Sequence, residues 1–285
     1  MDTPKWRLLC VGHRRYCTLL KLNMQMKILI GKLAIAGFMA LFTTNSMGDG
    51  ASIHIVHGNK NGYPYEYSVD VSEGEYFSVV CQGACFLKKA NVEVTGAKVN
   101  GYEGATDGYV VKVTNPESSL FLVKGLGNLR EGPIRTWYYN DKFQKSAEDT
   151  TVADFSKKQE ISWQVGDKRL SIAGAVAYVK DQTCTPNDTD CPKYPKITWK
   201  FRFGEVERTL FTLGGSELEY PLGIQDFIVW VGDLDGDGKP DLVVRPQGRS
   251  DYLELSLFLS SALSPGKPWR PSAKFYWWDP TNPGC

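Results

Sequence analysis

The sequence predicts a mostly β protein whose antiparallel sheets pack in a β-sandwich-like way. Three observations support this. Short segments rich in β-branched and aromatic residues recur along the chain, each bounded by Gly, Asn, Asp or Pro. Residues 197–203 (ITWKFRF) alternate cleanly, with Ile197, Trp199, Phe201 and Phe203 on one face and Thr198, Lys200 and Arg202 on the other. Helix signals are scarce, and only "TVADFSKKQE" (151–160) has room for one or two turns.

The first 48 residues are set apart as a leader. From Met26, Lys27 and Lys32 give a positive start, and residues 33–42 form an unbroken apolar run. Ser46 and Gly48 then stand at the −3 and −1 positions for cleavage before Asp49. This is the tripartite order of a secretory signal. The run is shorter than the ~20 apolar residues of a spanning helix, so no stable membrane span is expected in the mature chain. Residues 1–25 fit no signal design, which makes Met24 or Met26 a candidate start. The expected location is outside the cytoplasm, either periplasmic or extracellular.

Strand signals then follow in order: "PYEYSVDV", "EYFSVV", "NVEV", "GYVVKV" and "SSLFLVKGL". Residues 140–158 are polar and poor in large apolar side chains. They read as a linker between an N-terminal β region (49–145) and a C-terminal β region (146–285). In the second region, "GEVE" turns residues 197–203 back into "RTLFTL". "FIVWV" (227–231) is continuously apolar, like a strand buried on both faces. "YLELSLFLS" alternates, placing Leu253, Leu255, Leu257 and Leu259 together.

Charge and cysteine narrow the function. The leader holds seven of the 33 Lys/Arg and one of the 32 Asp/Glu, so 26 basic and 31 acidic residues remain. That mildly acidic remainder has no clustered Lys/Arg to neutralise phosphates, which argues against nucleic acid as a partner. Of seven cysteines, Cys10 and Cys17 fall in the leader. In an oxidising compartment the other five tend to pair. The proline-bounded loop "CTPNDTDCPKYP" suggests a Cys184–Cys191 bridge, while Cys81 or Cys85 could reach Cys285.

The densest chemistry lies in "VGDLDGDGKPDLVV" (231–244). Four like charges in one turn need either screening or a cation. With Asp233 as position 1, Asp235 is position 3, Asp237 position 5 and Asp241 position 9. Lys239, at position 7, would supply a backbone carbonyl. Gly238, at position 6, permits the positive φ of a sharp turn. Alternate carboxylates on a tight loop suit calcium, which takes six to eight hard oxygen ligands. An EF-hand would need Glu at position 12, but Val244 stands there, and the flanks read as strands. A P-loop is excluded by spacing and by the carboxylates' repulsion of phosphate.

The stretch "WVGDLDGDGKPDLVV" followed by "LSLFLSSA" resembles an FG-GAP or VCBS-type repeat, the calcium-loop module of integrin-like propellers and of many exported bacterial proteins. The likeness covers residues 227–262. It implies calcium ligation by Asp233, Asp235, Asp237 and Asp241 with the Lys239 carbonyl. "SSLFLVKGLGNLREGPIRT" and the terminal "GC" are similar to exported bacterial proteins that carry one such module, a likeness that brings no activity with it. The motif occurs once and no period of about 40 residues accompanies it, so a full propeller is not expected.

Catalytic constellations are thin. His54 and His57 in "SIHIVHG" fall on opposite faces of a strand and read as surface residues near a frayed terminus. No GxSxG elbow is present. A thiol–imidazole pair from Cys81 or Cys85 with His57, and a carboxylate pair from Glu217 and Glu219, are the remaining options. Trp137, Tyr139 and Trp277, in the aromatic runs "RTWYYN" and "KFYWWDP", are candidate ligand-facing rings, with core packing as the competing role. The expectation is an exported, non-enzymatic β protein with a structural calcium site, acting as a binding or envelope-associated module toward a protein or glycan. The alternative is a periplasmic hydrolase of envelope polymers.

Overall fold

The structure, a computed structural model, describes residues 52–57, 63–65, 71–101, 104–114, 119–143, 159–180, 193–214, 222–246, 252–264 and 267–278. All of them belong to one compact unit, Asp49–Cys285. The leader, Glu217, Glu219, Cys184, Cys191 and Cys285 lie outside the described residues.

The described residues form three antiparallel sheets, and the mostly β, antiparallel character is what the strand signals predict. The first contains β1 (His54–His57), β2 (Tyr63–Tyr65), β3 (Gly74–Gln82), β4 (Ala84–Gly101), β5 (Gly104–Thr114), β6 (Ser119–Lys124) and β7 (Gly132–Ile134). Its order is β1-β6-β3-β4-β5-β2, with β7 on β4. After β8 (Thr136–Tyr139), the strands β9 (Gln159–Val165), β10 (Lys168–Lys180), β11 (Lys193–Phe203) and β12 (Val206–Gly214) form a four-stranded meander. A single helical turn, α1 (Ile224–Phe227), leads into β13 (Ile228–Gly232), β14 (Asp241–Val244), β15 (Tyr252–Phe258) and β16 (Ala273–Trp278). These four strands and β8 make the third sheet, ordered β16-β15-β14-β13-β8. Of the stretch 151–160 with room for one or two helical turns, residues 151–158 lie outside the described residues, and Gln159 and Glu160 open β9.

This third sheet lies between two cores. One of its faces, with Trp230, Val243, Leu255, Leu257 and Phe275, packs with Tyr76, Phe121 and Leu122 of the first sheet. Its other face, with Val231, Leu242, Val244 and Phe258, packs with Leu170, Ile172, Trp199 and Phe201 of the meander. The continuous apolar run of β13 follows from burial on both faces. The alternation of β15 sends Leu253, Leu255, Leu257 and Leu259 to the first core. Each fully buried large side chain contributes roughly 1.5–3 kcal/mol. Rings mesh at both contacts, with Trp199 stacked on Phe227 at 4.1 Å and Phe121 edge-on to Trp230 at 5.7 Å.

The linker expected between two halves does not separate the sheets, since β8 precedes it and pairs with β13 beyond it. Close backbone approach makes this pairing possible. A Cβ at Gly232 would lie 2.6 Å from the Arg135 carbonyl oxygen and 2.1 Å from the Trp230 ring. Among the described residues, no helix is long and apolar enough to cross a membrane.

Candidate metal centre

The aspartate loop, residues 233–240, closes the β13–β14 hairpin, and Gly232 and Asp241 are the last paired residues on either side. Its entry is fixed by the Asp233 N–H, which donates to the Arg135 carbonyl at 2.8 Å. Leu234 is buried in the first core and Pro240 is buried at the exit. Between these anchors the carboxylates wind the backbone around themselves. Gly238 N–H donates to Asp233 Oδ2 at 3.0 Å, Asp237 N–H to Asp235 Oδ1 at 3.2 Å, and Lys239 N–H to Asp237 Oδ1 at 2.8 Å. Gly238 has φ +79°, as its position in the motif predicts, and Gly236 has φ +77°. A Cβ at either would meet nothing within 4 Å, so glycine is required there by backbone conformation and not by crowding.

Three of the four aspartates converge. Asp233, Asp235 and Asp237 each offer a carboxylate oxygen, and these oxygens lie within 4.8 Å of one another. Burial pushes the Asp233 carboxyl up, and the charges of Asp237 and Asp235 add to the effect. Its Oδ1 is buried and has no hydrogen-bond partner among the described residues. Burial also acts against an ionised Asp237, but bonds from Lys239 N–H, Ser260 Oγ and the Lys239 ammonium outweigh it and hold that carboxyl low. The Lys239 ammonium is 3.2 Å from Asp237 Oδ2. In the described geometry, Lys239 therefore meets the cluster through its side chain as well as its backbone.

Asp241 does not join the three. Its Oδ2 accepts from Leu234 N–H at 2.7 Å and Asp235 N–H at 3.3 Å, and its Oδ1 accepts from Ser260 N–H at 2.7 Å. It is fully buried and ties the loop to the 3-10 turn Ser260–Ala262. Burial raises its pKa to about 7 even against these donors, and Asp235 adds repulsion. The same turn supplies two groups to which the sequence assigned no role. Ser260 Oγ donates to Asp237 Oδ1 at 2.9 Å, and Ser261 Oγ donates to Asp235 Oδ2. Asn128 adds a third, donating its amide to the Asp235 carbonyl. Ser260 and Ser261 fall within the "LSLFLSSA" likeness, but only the β14–β15 pairing shows that they reach the loop.

The donor set is all oxygen, and among the described residues its three carboxylates are ion-paired with one cation, Lys239. One carboxylate of the cluster, that of Asp233, also carries a buried oxygen with no hydrogen-bond partner among the described residues. These residues fit a hard divalent cation and offer a soft metal nothing.

The other candidates fall elsewhere. Trp137 and Tyr139 are both half-buried. The β8–β13 register shifts at Trp137, which breaks the alternation. Trp137 then packs on the second core beneath the Arg135 guanidinium, 5.2 Å from its ring centre. Tyr139 packs on the first core, and its hydroxyl accepts from Gly83 N–H at 3.0 Å. The backbone of Trp277 pairs with Leu253, but its side chain lies outside the described residues.

Two expectations are corrected. Cys81 and Cys85 do not reach for Cys285. They stand directly opposite on the β3–β4 hairpin and are joined in a disulfide, with Cα atoms 4.1 Å apart. Neither is then a thiolate for His57. His57 is also not a surface residue. It is buried on β1 beside Phe143, and that burial, helped by the charge of Arg245, lowers its pKa to about 3.

Comparison with protein-family models, with curated proteins and with solved structures finds no match to this chain.

Proposed function

We propose that the chain is an exported, non-enzymatic β protein whose aspartate loop holds one structural calcium ion in the manner of an FG-GAP or VCBS-type module. The convergence of Asp233, Asp235 and Asp237, each offering a carboxylate oxygen within 4.8 Å of the others, carries this reading; the buried Asp233 Oδ1, which has no hydrogen-bond partner among the described residues, supports it. Calcium would neutralise the cluster and accept that oxygen. The Lys239 carbonyl and waters would fill further positions of its flexible shell. Asp241 then acts mainly from behind the loop, holding it against the turn at Ser260. A site absent from the unfolded chain converts binding energy into folding energy. The ion would thus fasten the central hairpin of a module that binds a protein or glycan partner at the cell envelope. Equilibrium dialysis of the purified protein against calcium tests the reading. One ion per chain is expected, lost in Asp233→Asn with Asp235→Asn. Retention of no calcium at millimolar concentration would exclude it.

A further inference from the structure

A cleft of about 560 Å³ lies beside the aspartate loop, between the β11–β12 hairpin and the segment that follows β15. We propose that it binds an amphipathic carboxylate, meaning an acyl or aryl body ending in a single carboxylate. Its size is in the range of small-molecule sites. Its floor is aromatic. Phe201 and Trp269 are buried edge-to-face at 4.6 Å, and Phe203 extends the apolar surface under the Lys168 ammonium, which is 5.5 Å from the ring centre.

The rim is cationic. Lys168, Arg208 and Lys239 line it with one acid, Glu205; the Lys239 ammonium is already paired with Asp237 at 3.2 Å, so Lys168 and Arg208 carry the charge offered to a ligand. The neighbouring Glu207 carboxylate is taken by Lys200 at 2.9 Å and Arg202 at 2.5 Å, and these bonds hold its pKa low, at about 2. It therefore leaves the positive charge of the rim standing. Arg208 donates from Nη1 to the Glu207 carbonyl at 2.7 Å, while its Nε–H is buried with no hydrogen-bond partner among the described residues. A partnerless guanidinium donor at the edge of an apolar cleft suits a carboxylate, which accepts planar, charge-assisted bonds from Arg. An amphiphilic cation would meet the same floor and be repelled by the rim.

The cleft shares Lys239, Pro240 and Ser260 with the loop, but its chemistry does not require the metal. Calorimetric titration with decanoate below its micellar concentration, run once in calcium and once in chelator, separates the two. One decanoate per chain is expected, with decyltrimethylammonium binding at least about tenfold more weakly. Lys168→Gln with Arg208→Gln should weaken decanoate by about tenfold or more, the scale of one charge-assisted bond. Binding in chelator, with or without calcium, supports the cleft; binding in calcium alone overturns it, because it would place the carboxylate on the ion. Absence of decanoate binding in both overturns it, whatever calcium does at the loop. Equal binding of the two amphiphiles overturns it as well, and that comparison needs only the wild type if the double variant fails to fold. Undiminished decanoate binding by a folded double variant has the same consequence.

Discussion

Removing Asp235 should destabilise the protein only when calcium is present. The magnitude follows from the cluster. Unit charges within 4.8 Å of one another repel by at least about 1 kcal/mol, the value of a water-like medium. Asp235 takes part in two such pairs and also repels Asp241, so without the ion its removal relieves at least about 2 kcal/mol. Against this it forfeits the bonds from Asp237 N–H and Ser261 Oγ, together worth a similar amount at ~1 kcal/mol each. In chelator, Asp235→Ala should therefore melt no lower than the wild type. In calcium the wild type alone gains RT ln(1 + [L]/Kd), about 2.7 kcal/mol at a hundredfold excess over Kd. For a unit of this size that is roughly 5–10 °C in Tm. Differential scanning calorimetry of both proteins, with calcium, magnesium and chelator, reads it directly. Magnesium should rescue poorly, because it demands a small octahedral shell and keeps its waters. The reasoning fails if calcium leaves the wild-type curve unmoved, or if the variant melts as far below the wild type in chelator as in calcium.

Asp241→Asn should behave differently, lowering Tm in calcium and in chelator alike by about 1–3 kcal/mol equivalent, because it places an amide donor against buried N–H groups; a loss confined to calcium would show Asp241 to be a ligand instead. The buried His57, with a folded pKa of about 3 against 6.5 unfolded, binds its proton more readily in the unfolded chain. Its contribution is therefore complete above pH 6.5 and is lost as pH falls toward 3, by about 2 kcal/mol at pH 5. Urea midpoints of His57→Gln should lack that part of the slope, and an unchanged slope counts against it. Gly238→Ala should cost about 1 kcal/mol or somewhat more through its positive φ, read as a lower urea midpoint; an unshifted midpoint would show that the turn tolerates a side chain. A non-reducing peptide map should link Cys81 to Cys85, and reduction should cost only about 2 kcal/mol for so short a loop; free thiols in oxidised protein would refute the pairing.

The elements of this protein were legible because strand alternation is local. Each of residues 197–203 and 253–259 declares its face by its neighbour two positions away, with no knowledge of the partner sheet. The aspartate loop was legible for a similar reason. The spacing of Asp233, Asp235 and Asp237 and the glycine at 238 are properties of a turn, set by bonds between residues two to five apart. Burial and long-range register were not legible, since they depend on what packs from elsewhere. Nothing in "SIHIVHG" says that Phe143 will cover His57. Nothing in "RTWYYN" says that β8 will join β13 across some ninety residues, or that a register shift will turn Trp137 and Tyr139 to different cores. The spacing alone treated Asp241 as a fourth equal ligand. Only the β14–β15 pairing, which brings the Ser260 N–H onto its Oδ1, separates it from the other three. Sequence thus determined which residues alternate, turn and carry charge, because those choices are made within a few residues. The packing of three sheets decided which of those charges are buried and what they face, because desolvation is a property of the assembled core.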